Sequence, residues 1–208
     1  MIAVIDYGAG NLQSVRKALD FIGADNLITA DKAEIEAADA VILPGVGAFG
    51  DAMACLHQSG LTETVKAAAL SDTPFLGICL GLQMLFQKSE ETPGVEGLSV
   101  LEGEICRFPR EIGLKIPQIG WNSIDITPDC PLYRGVPNGA YVYFVHSYYL
   151  KAKHLENVAA TAEYGISFHA SAADVSKNLY ATQFHPEKSG TVGLQILKNF
   201  AAMQKGVR

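Results

Sequence analysis

The sequence predicts an α/β fold: a single domain over residues 1–208, with an open, mainly parallel sheet, helices on both faces and antiparallel strands added in the second half. Three observations support this prediction. The first half alternates between short apolar runs and segments with helical periodicity. The second half is rich in β-branched and aromatic residues separated by Pro, Gly and Asn turns. Hydrophobic residues make up 49% of the chain and charged residues 18%, which suits strands covered on both faces.

Alternation of strand and helix in the first half implies a parallel sheet with right-handed crossovers. Short apolar runs indicate buried strands, and apolar residues recurring every three or four positions indicate helices. Gly23 can end the first helix. In chain order, the predicted elements are a strand at 2–6, a helix from 11 to about 22, a strand at 40–43, helices at about 49–57 and 61–70, a strand at 73–78 and a helix beginning at Cys79.

The second half is expected to add antiparallel strands at one edge of the sheet. The predicted strands are 98–108, 112–126, 140–150, 158–164 and 179–184. An amphipathic helix closes the chain, and one of its faces carries the apolar positions 192, 196, 197, 200 and 203.

Composition and charge exclude several classes of protein. The net charge of −6 gives no basic surface for nucleic acid. The longest nearly uncharged stretch, 67–86, approaches membrane-spanning length, but Asp72, Pro74, Gly77 and Gly81 break it, so no membrane span is predicted. The first residues lack the cationic segment and cleavage site of a secretory signal. With four widely separated cysteines, we expect reduced thiols in the cytoplasm.

No cofactor or metal is expected from the motifs. The cysteines form no CxxC pair and no metal-like cluster. The segment Gly8-Ala-Gly-Asn11 follows the first strand, as a phosphate-binding loop would, but it lacks the G-x-G-x-x-G spacing of a dinucleotide site.

The segment Gly77-Ile-Cys79-Leu-Gly81 predicts a nucleophile at a sharp turn between a strand and a helix. It is the cysteine counterpart of the G-x-S-x-G elbow. Larger side chains two residues to either side would collide at such a turn, which explains the glycines. A helix N-terminus favours the thiolate and presents free backbone N–H groups to an oxyanion formed nearby. The other cysteines lack this surrounding sequence and are interpreted as small buried hydrophobic residues.

His185 and Glu187 flank Pro186 at the end of a predicted strand. Proline cannot continue the ladder, so both side chains should emerge on a stiff turn. Glu187 could then accept the imidazole N–H and fix its tautomer. An isolated His-x-Glu is more often a solvated surface pair. Together with Cys79, however, it supplies the base and the orienting carboxylate that nucleophilic acyl chemistry requires.

A third segment, Pro44-Gly45-Val46-Gly47, follows a parallel strand at its carboxyl end, where open α/β sheets bind ligands. Its glycines allow backbone amides to turn toward a substrate oxyanion. Taken alone, the segment also fits an ordinary strand-to-helix turn.

At full length the chain resembles the class I, triad-type glutamine amidotransferases, and among them the glutaminase subunits of imidazole glycerol phosphate synthase. The elbow and the His-Pro-Glu segment are shared by the whole class. The resemblance also rests on 44–49 (PGVGAF), 74–83 and 183–189 (QFHPEKS), while the more specific segments are 6–12 (DYGAGNL), 115–122 (KIPQIGWN) and 143–149 (YFVHSYY). One departure is Ala181, where the family often has glycine before the Thr-Gln-Phe-His run.

The resemblance implies a flavodoxin-like sheet and hydrolysis of L-glutamine to L-glutamate and ammonia. It implies that Cys79, His185 and Glu187 are catalytic, and that Leu80 with the 45–47 turn binds the oxyanion. Gln83, His146, Ser147 and Tyr148 would hold the amino-acid end of glutamine, although 146–149 also fits an aromatic edge strand.

The resemblance also implies a heterodimer with a (β/α)₈ cyclase. This partner would use the ammonia to make imidazole glycerol phosphate and an aminoimidazole carboxamide ribotide in histidine biosynthesis. Asn11, Ser14, Lys17 and Trp121 match family positions near the docking face, while ordinary core packing is the alternative for Trp121.

Three other functions remain open at this stage. The chain could feed ammonia to a different synthase, such as one that aminates a sugar, makes pyridoxal phosphate or serves purine synthesis. It could be a cysteine hydrolase or peptidase of similar fold, or a docking module with a relic site.

Overall fold

A computed structural model describes residues 1–203, so 204–208 of the predicted domain lie outside the described residues. The strands are β1 (Ile2–Ile5), β2 (Asn26–Thr29), β3 (Ala40–Gly45), β4 (Phe75–Cys79), β5 (Lys88–Ser89), β6 (Gly103–Arg107), β7 (Gln118–Ser123), β8 (Asp125–Ile126), β9 (Tyr141–His146), β10 (Tyr148–Ala152), β11 (Val158–Glu163), β12 (Ser167–Asp174) and β13 (Leu179–Thr182). The helices are α1 (Leu12–Phe21), α2 (Lys32–Ala37), α3 (Phe49–Gln58), α4 (Thr62–Leu70), α5 (Leu80–Met84) and α6 (Gly190–Ala201).

The main sheet has a parallel half and an antiparallel half. Strands β2-β1-β3-β4-β13 run parallel, an order that corresponds to the flavodoxin-like 2-1-3-4-5 arrangement. Beyond β13 the path continues through β12, β10, β6 and β5, and β12 is antiparallel to β13. The predicted fold class is therefore confirmed. Because β13 pairs with β4, the late segment that carries His185 lies beside the early segment that carries Cys79.

Two apolar layers cover the two faces of the sheet. On one face, side chains of α2, α3 and α4 such as Ile35, Met53 and Val65 pack against strand residues. On the other face, residues of α1 and α6, including Leu19 and Phe200, do the same. Along β3 and β4 every residue is buried, as continuous apolar runs in a parallel sheet require.

A two-stranded ribbon of β7 and β9 stands apart from the main sheet. Its inner face carries Val142 and Phe144, which are fully buried. Its outer face carries Ile119, Trp121 and Tyr141, whose exposed fractions are 62%, 55% and 60%. The alternation places one face of the ribbon in the core and leaves the other as an uncovered apolar surface.

Several predicted strand boundaries are wrong, and the structure shows why. The expected strand at 112–126 begins only at Gln118, because a left-handed Gly113 interrupts the extended backbone and Pro117 has no N–H to donate to a ladder. The expected strand at 98–108 is reduced to β6. The N–H groups of Leu98 and Val100 donate to the carbonyls of Met84 and Leu85, and not to a neighbouring strand.

The predicted strand at 140–150 divides at Ser147 into two strands with different partners. Strand β9 pairs with β7, whereas β10 pairs with β6 and β12. Four of the described strands and helices were not predicted at all: β2, α2, β5 and β12. Strand β12 is rich in Ala and Ser, so its pairing and burial between neighbouring strands outweigh a weak local preference.

Candidate active site

Cys79 lies at a strained turn between β4 and α5. Its φ of 55° and ψ of −109° fall in a region that side chains rarely adopt. A Cβ added at Gly81 would lie 1.9 Å from the Leu43 carbonyl oxygen, and one added at Gly77 would lie 2.8 Å from the Gly81 carbonyl oxygen. The turn therefore closes only because these two positions have no side chain.

The predicted helix that begins at Cys79 is the short helix α5, with Cys79 as its N-cap residue. It has five residues, Leu80–Met84. A helix of this length has a weak macrodipole. Stabilisation of an oxyanion by α5 would therefore depend on the N–H of Leu80, the first residue of the helix.

The backbone of His185, which precedes the Pro186–Lys188 turn, is fixed by hydrogen bonds at both its N–H and its carbonyl. Its backbone N–H donates to the Tyr143 carbonyl at 3.0 Å, and its carbonyl accepts from Ser189 Oγ at 2.6 Å. Its ring Nδ1 lies 2.7 Å from Glu187 Oε1, and the exposed fractions of the two side chains are 2% and 1%. A carboxylate can only accept here, so the proton lies on Nδ1 and Nε2 is left for chemistry.

The surroundings of His185 favour the imidazolium form. Burial alone lowers the pKa of His185, but hydrogen bonding to Cys79 and Glu187 and the charges of the same groups outweigh it and raise the pKa to about 10. Within the described residues, Nε2 makes no hydrogen bond that meets standard geometry. Cys79 and His185 line the same pocket, and Cys79 contributes to the raised pKa of His185, so the thiol and the ring are neighbours.

The predicted oxyanion turn runs alongside the nucleophile. Gly45 is the register partner of Cys79 in the β3–β4 ladder. Gly47 has a φ of 95°, and its N–H makes no hydrogen bond within the part of the chain that the structure describes. After the turn, the Phe49 N–H donates to Glu91 Oε2 at 2.7 Å, which anchors the start of α3. The backbone between Gly45 and Phe49 is thus fixed at both ends, with an N–H free in the middle.

These groups surround one pocket of about 380 Å³. Its volume suits a ligand the size of an amino acid, and its lining mixes polar and apolar groups. The predicted site residues that line it are Val46, Gly47, Cys79, Leu80, Gln83, His146, Ser147, Tyr148 and His185. Gly45 and Glu187 lie behind this lining and, with His185 and Val46, border a small adjoining cleft.

Four further residues line the pocket that the sequence reasoning did not select: Glu91, Pro117, Val145 and Lys188. Glu91 lies in an irregular polar segment that carries no motif. Lys188 and Val145 fall within the segments on which the family resemblance rests, so those segments already contained a signal for them. Glu91 places a carboxylate at the pocket beside the oxyanion turn.

His146 is committed to contacts within the protein. Its Nδ1 lies 2.8 Å from the Tyr148 carbonyl, and its Nε2 lies 3.0 Å from the Gln118 side-chain amide. Burial lowers the pKa of His146 to about 4; the positive charge of His185 acts in the same direction, and the bond to Tyr148 opposes it. The ring is therefore neutral at pH 7 and shapes the pocket wall, with both nitrogens directed at protein groups.

The four predicted interface residues lie at the start of α1, along α1 and on the β7–β9 ribbon. Asn11 lines the cleft that contains Glu187, and Ser14 and Lys17 follow it along α1 at intervals of three residues. Trp121 lies over the start of α6, where a Cβ on Gly190 would be 3.8 Å from its ring. Its 55% exposure excludes ordinary core packing.

The profile of the family described as "Glutamine amidotransferase class-I" matches residues 3–203. The chain belongs to the class-I glutamine amidotransferases. Known members of this family include two proteins described as "Imidazole glycerol phosphate synthase subunit HisH". The one from Caldanaerobacter subterraneus subsp. tengcongensis is 50% identical over 205 residues, covering 99% of each chain. The one from Methanosarcina mazei is 50% identical over 202 residues, covering 97% of this chain and 98% of the relative.

Solved structures of amidotransferases share the fold at much lower identity. PurLQS from Thermotoga maritima matches with a TM-score of 0.73 and 18% identity, covering 96% of both chains. This similarity supports the architecture of the amidotransferase domain. In residues 1–203, every helix is too short or too polar to cross a membrane. The same residues contain no cluster of His, Cys, Asp and Glu that could hold a metal ion.

Proposed function

We propose that this amidotransferase is the glutaminase subunit of an imidazole glycerol phosphate synthase. It hydrolyses L-glutamine to L-glutamate and passes the ammonia to a cyclase subunit in histidine biosynthesis. The observation that carries the proposal is that Cys79 and His185, about a hundred residues apart in the sequence, line one pocket, with Glu187 bonded to His185 behind it, in a chain half identical to HisH subunits.

The chemistry follows from the protonation states of the site. The Cys79 thiolate attacks the side-chain amide carbon of glutamine, and the carbonyl electrons move to oxygen. The N–H groups of Leu80 and of the Gly45–Gly47 turn stabilise this oxyanion. The His185 imidazolium gives its Nε2 proton to the departing nitrogen, which leaves as ammonia, and a γ-glutamyl thioester remains.

A water molecule completes the turnover. Neutral His185 takes a proton from the water as it attacks the thioester carbon, and the thiolate of Cys79 is expelled with the bonding electrons. Glutamate leaves, and the imidazolium is restored. Throughout, Glu187 holds Nδ1–H and stabilises the positive ring.

Recognition of glutamine would use the other polar groups that line the pocket. Glu91 supplies a carboxylate that suits the α-ammonium group. Gln83 and the backbone of 146–148 supply polar groups for the rest of the amino-acid end. Because the His146 ring is engaged within the protein, its contribution would be to shape the pocket wall.

The partner would dock on the outer face of the β7–β9 ribbon and on α1. The apolar side chains of Ile119, Trp121 and Tyr141 form an uncovered surface there. This surface borders the pocket, since β9 ends at His146 in the pocket wall. Docking at this place would keep the ammonia away from bulk water. The four cysteines are free thiols, which suits the reducing cytoplasm as the compartment.

A Cys79→Ala variant tests the proposal. With the cyclase present, wild-type protein is expected to release glutamate from L-glutamine, and the variant should lose at least roughly 1,000-fold in rate. Cys55→Ala is the matched control, because Cys55 is a partly buried thiol on α3 outside the pocket and should leave the rate unchanged. An unchanged rate in Cys79→Ala would refute the nucleophile, and hydrolysis of peptides in place of glutamine would favour a peptidase.

A further inference from the structure

A chain of hydrogen bonds leads from the pocket wall to the sulfur of Cys79. Gln183 Nε2 lies 3.7 Å from Cys79 Sγ, within the range of hydrogen bonds to sulfur. Gln183 Oε1 lies 3.0 Å from Gln83 Nε2, and Gln83 Nε2 also lies 3.3 Å from the Tyr148 carbonyl oxygen. Gln183 is fully buried and Gln83 is 5% exposed. The mechanism above gives Gln183 no role.

The direction of this chain is fixed by its chemistry. The Tyr148 carbonyl can only accept, so the end of Gln83 that faces it must be the NH₂ group. That NH₂ group also faces Gln183, so Gln183 must present its oxygen to it. The remaining end of Gln183, its NH₂ group, is then directed at Cys79 Sγ.

The fold holds Gln183 in this place. In the β13–β4 ladder, Thr182 is the register partner of Ile78. Gln183 and Cys79, the next residues in the two strands' sequences, therefore lie at the same edge of the sheet. The Gln183 N–H donates to the Ala170 carbonyl at 2.8 Å and fixes the backbone. A fully buried amide is costly unless its polar atoms are bonded, and here the sulfur and Gln83 supply the partners.

We propose that Gln183 is a positioning residue that acts through Cys79. Its side-chain N–H holds the sulfur and stabilises it as the thiolate. Its side-chain oxygen accepts from Gln83, which lines the pocket, and so connects the nucleophile to the residues around the substrate. This inference deepens the proposed function and rests on it for the identity of the substrate. An N–H donor bonded to the thiolate favours the charged form over the thiol. The tie to Gln83 fixes the direction of that N–H.

Substitution of Gln183 by methionine tests the role, because methionine has a similar length and no N–H donor. The probe is iodoacetamide, which reacts with the thiolate; mass spectrometry distinguishes Cys79 from the other three cysteines. Gln183→Met should slow alkylation of Cys79 at pH 7 by about 10- to 100-fold, the effect of losing one hydrogen bond to a charged group. The pH profile of alkylation should move to higher pH, which loss of packing alone would not produce.

Glutaminase kinetics give a second readout on the complex with the cyclase. Gln183→Met should lower kcat by a similar factor and change KM by less than about threefold, since the lost contact acts on the nucleophile. Gln195→Met is the matched control, because Gln195 bonds Asn199 on α6 outside the pocket; it should match wild type in both assays.

A second variant keeps the inference testable if Gln183→Met folds poorly. Gln83→Met leaves Gln183 in place but removes the donor that orients it, so alkylation of Cys79 should again slow and its profile move to higher pH. Alkylation within twofold of wild type in the folded Gln183→Met protein, or in Gln83→Met if only that variant folds, would overturn the inference. Alkylation needs no glutamine turnover, so an inactive wild type would refute the proposed function and leave this comparison valid.

Discussion

The charge on the His185 ring determines how the candidate triad behaves. The ring is buried, bonded to Glu187 at 2.7 Å, and its pKa is raised to about 10. A group whose pKa rises on folding stabilises the fold most fully below its unfolded pKa, about 6.5 for histidine, and loses that contribution as the pH approaches the folded value. The window for His185 therefore lies between about pH 6.5 and pH 10.

Glu187→Gln should reveal this dependence of folding stability on the charge of His185. Glutamine keeps an acceptor for Nδ1–H but removes the negative charge, so the imidazolium loses part of its stabilisation. At pH 6 we expect a loss of about 2 kcal/mol, or roughly 4 to 8 °C in Tm, shrinking as the pH rises toward 10. Thermal unfolding across this range measures it. Glu63→Gln on the exposed side of α4 is the control, and an equal loss at pH 6 and pH 10 would contradict the linkage.

At the scale of the element, close packing of α5 on β3 and β4 sets the elbow. Gly81 approaches the Leu43 carbonyl so closely that a Cβ would lie 1.9 Å from its oxygen. That contact is with backbone, which cannot move aside without shifting β3. Because Gly45 on β3 is also the register partner of Cys79, a shift would displace the 45–47 turn and Cys79 together.

Gly81→Ala should therefore be severely destabilising, by more than about 3 kcal/mol, and should abolish glutaminase activity. Gly113→Ala is the comparison. Gly113 has a φ of 69° and open space around it, so alanine there should cost only the roughly 1 to 2 kcal/mol of a left-handed backbone. Chemical denaturation measures both variants. A stability loss no greater in Gly81→Ala than in Gly113→Ala would show that the elbow can relax around a methyl group.

The sequence predicts elements well where local signals agree and poorly where tertiary contacts decide. Strands β1, β3 and β4 and helices α1, α3, α4 and α6 follow from period, apolar runs and turn residues. The Ala-rich β12 lacks a local signal, and the division of 140–150 at Ser147 depends on two different partner strands. The elbow glycines indicated Cys79, whereas Gln183 acquires its place through the pairing of β13 with β4, which no local pattern shows.

At the scale of the whole molecule, the chain places its pocket next to an uncovered apolar surface. The inner face of the β7–β9 ribbon is core, while its outer face exposes Ile119, Trp121 and Tyr141. Trp121 also packs edge-to-face on Tyr143, with the ring centroids 6.1 Å apart. The backbone carbonyl of Tyr143 accepts a hydrogen bond from the His185 N–H. A protein bound on the ribbon would therefore contact a strand that holds the backbone of His185.

Trp121→Ala should weaken binding of the cyclase by about 30-fold or more, because a tryptophan anchor in an interface is worth 2 kcal/mol or more. The fold should be unaffected, since the side chain is 55% exposed. Leu155→Ala is the control: Leu155 is an apolar residue with 70% exposure in the turn between β10 and β11, outside the ribbon and α1, and its removal should leave the affinity unchanged. Calorimetric titration compares them, and equal affinities for Trp121→Ala and wild type would place the docking surface elsewhere.

The central claim is that this pocket splits glutamine for a partner synthase. The most direct test measures glutamate formation from L-glutamine by the purified protein alone, with the cyclase, and with the cyclase plus its ribotide substrate. We expect the rate to be highest with both, by at least about fivefold over the protein alone, as coupling between two sites typically gives. Glutamate formation no faster than that of Cys79→Ala under all three conditions would contradict the account.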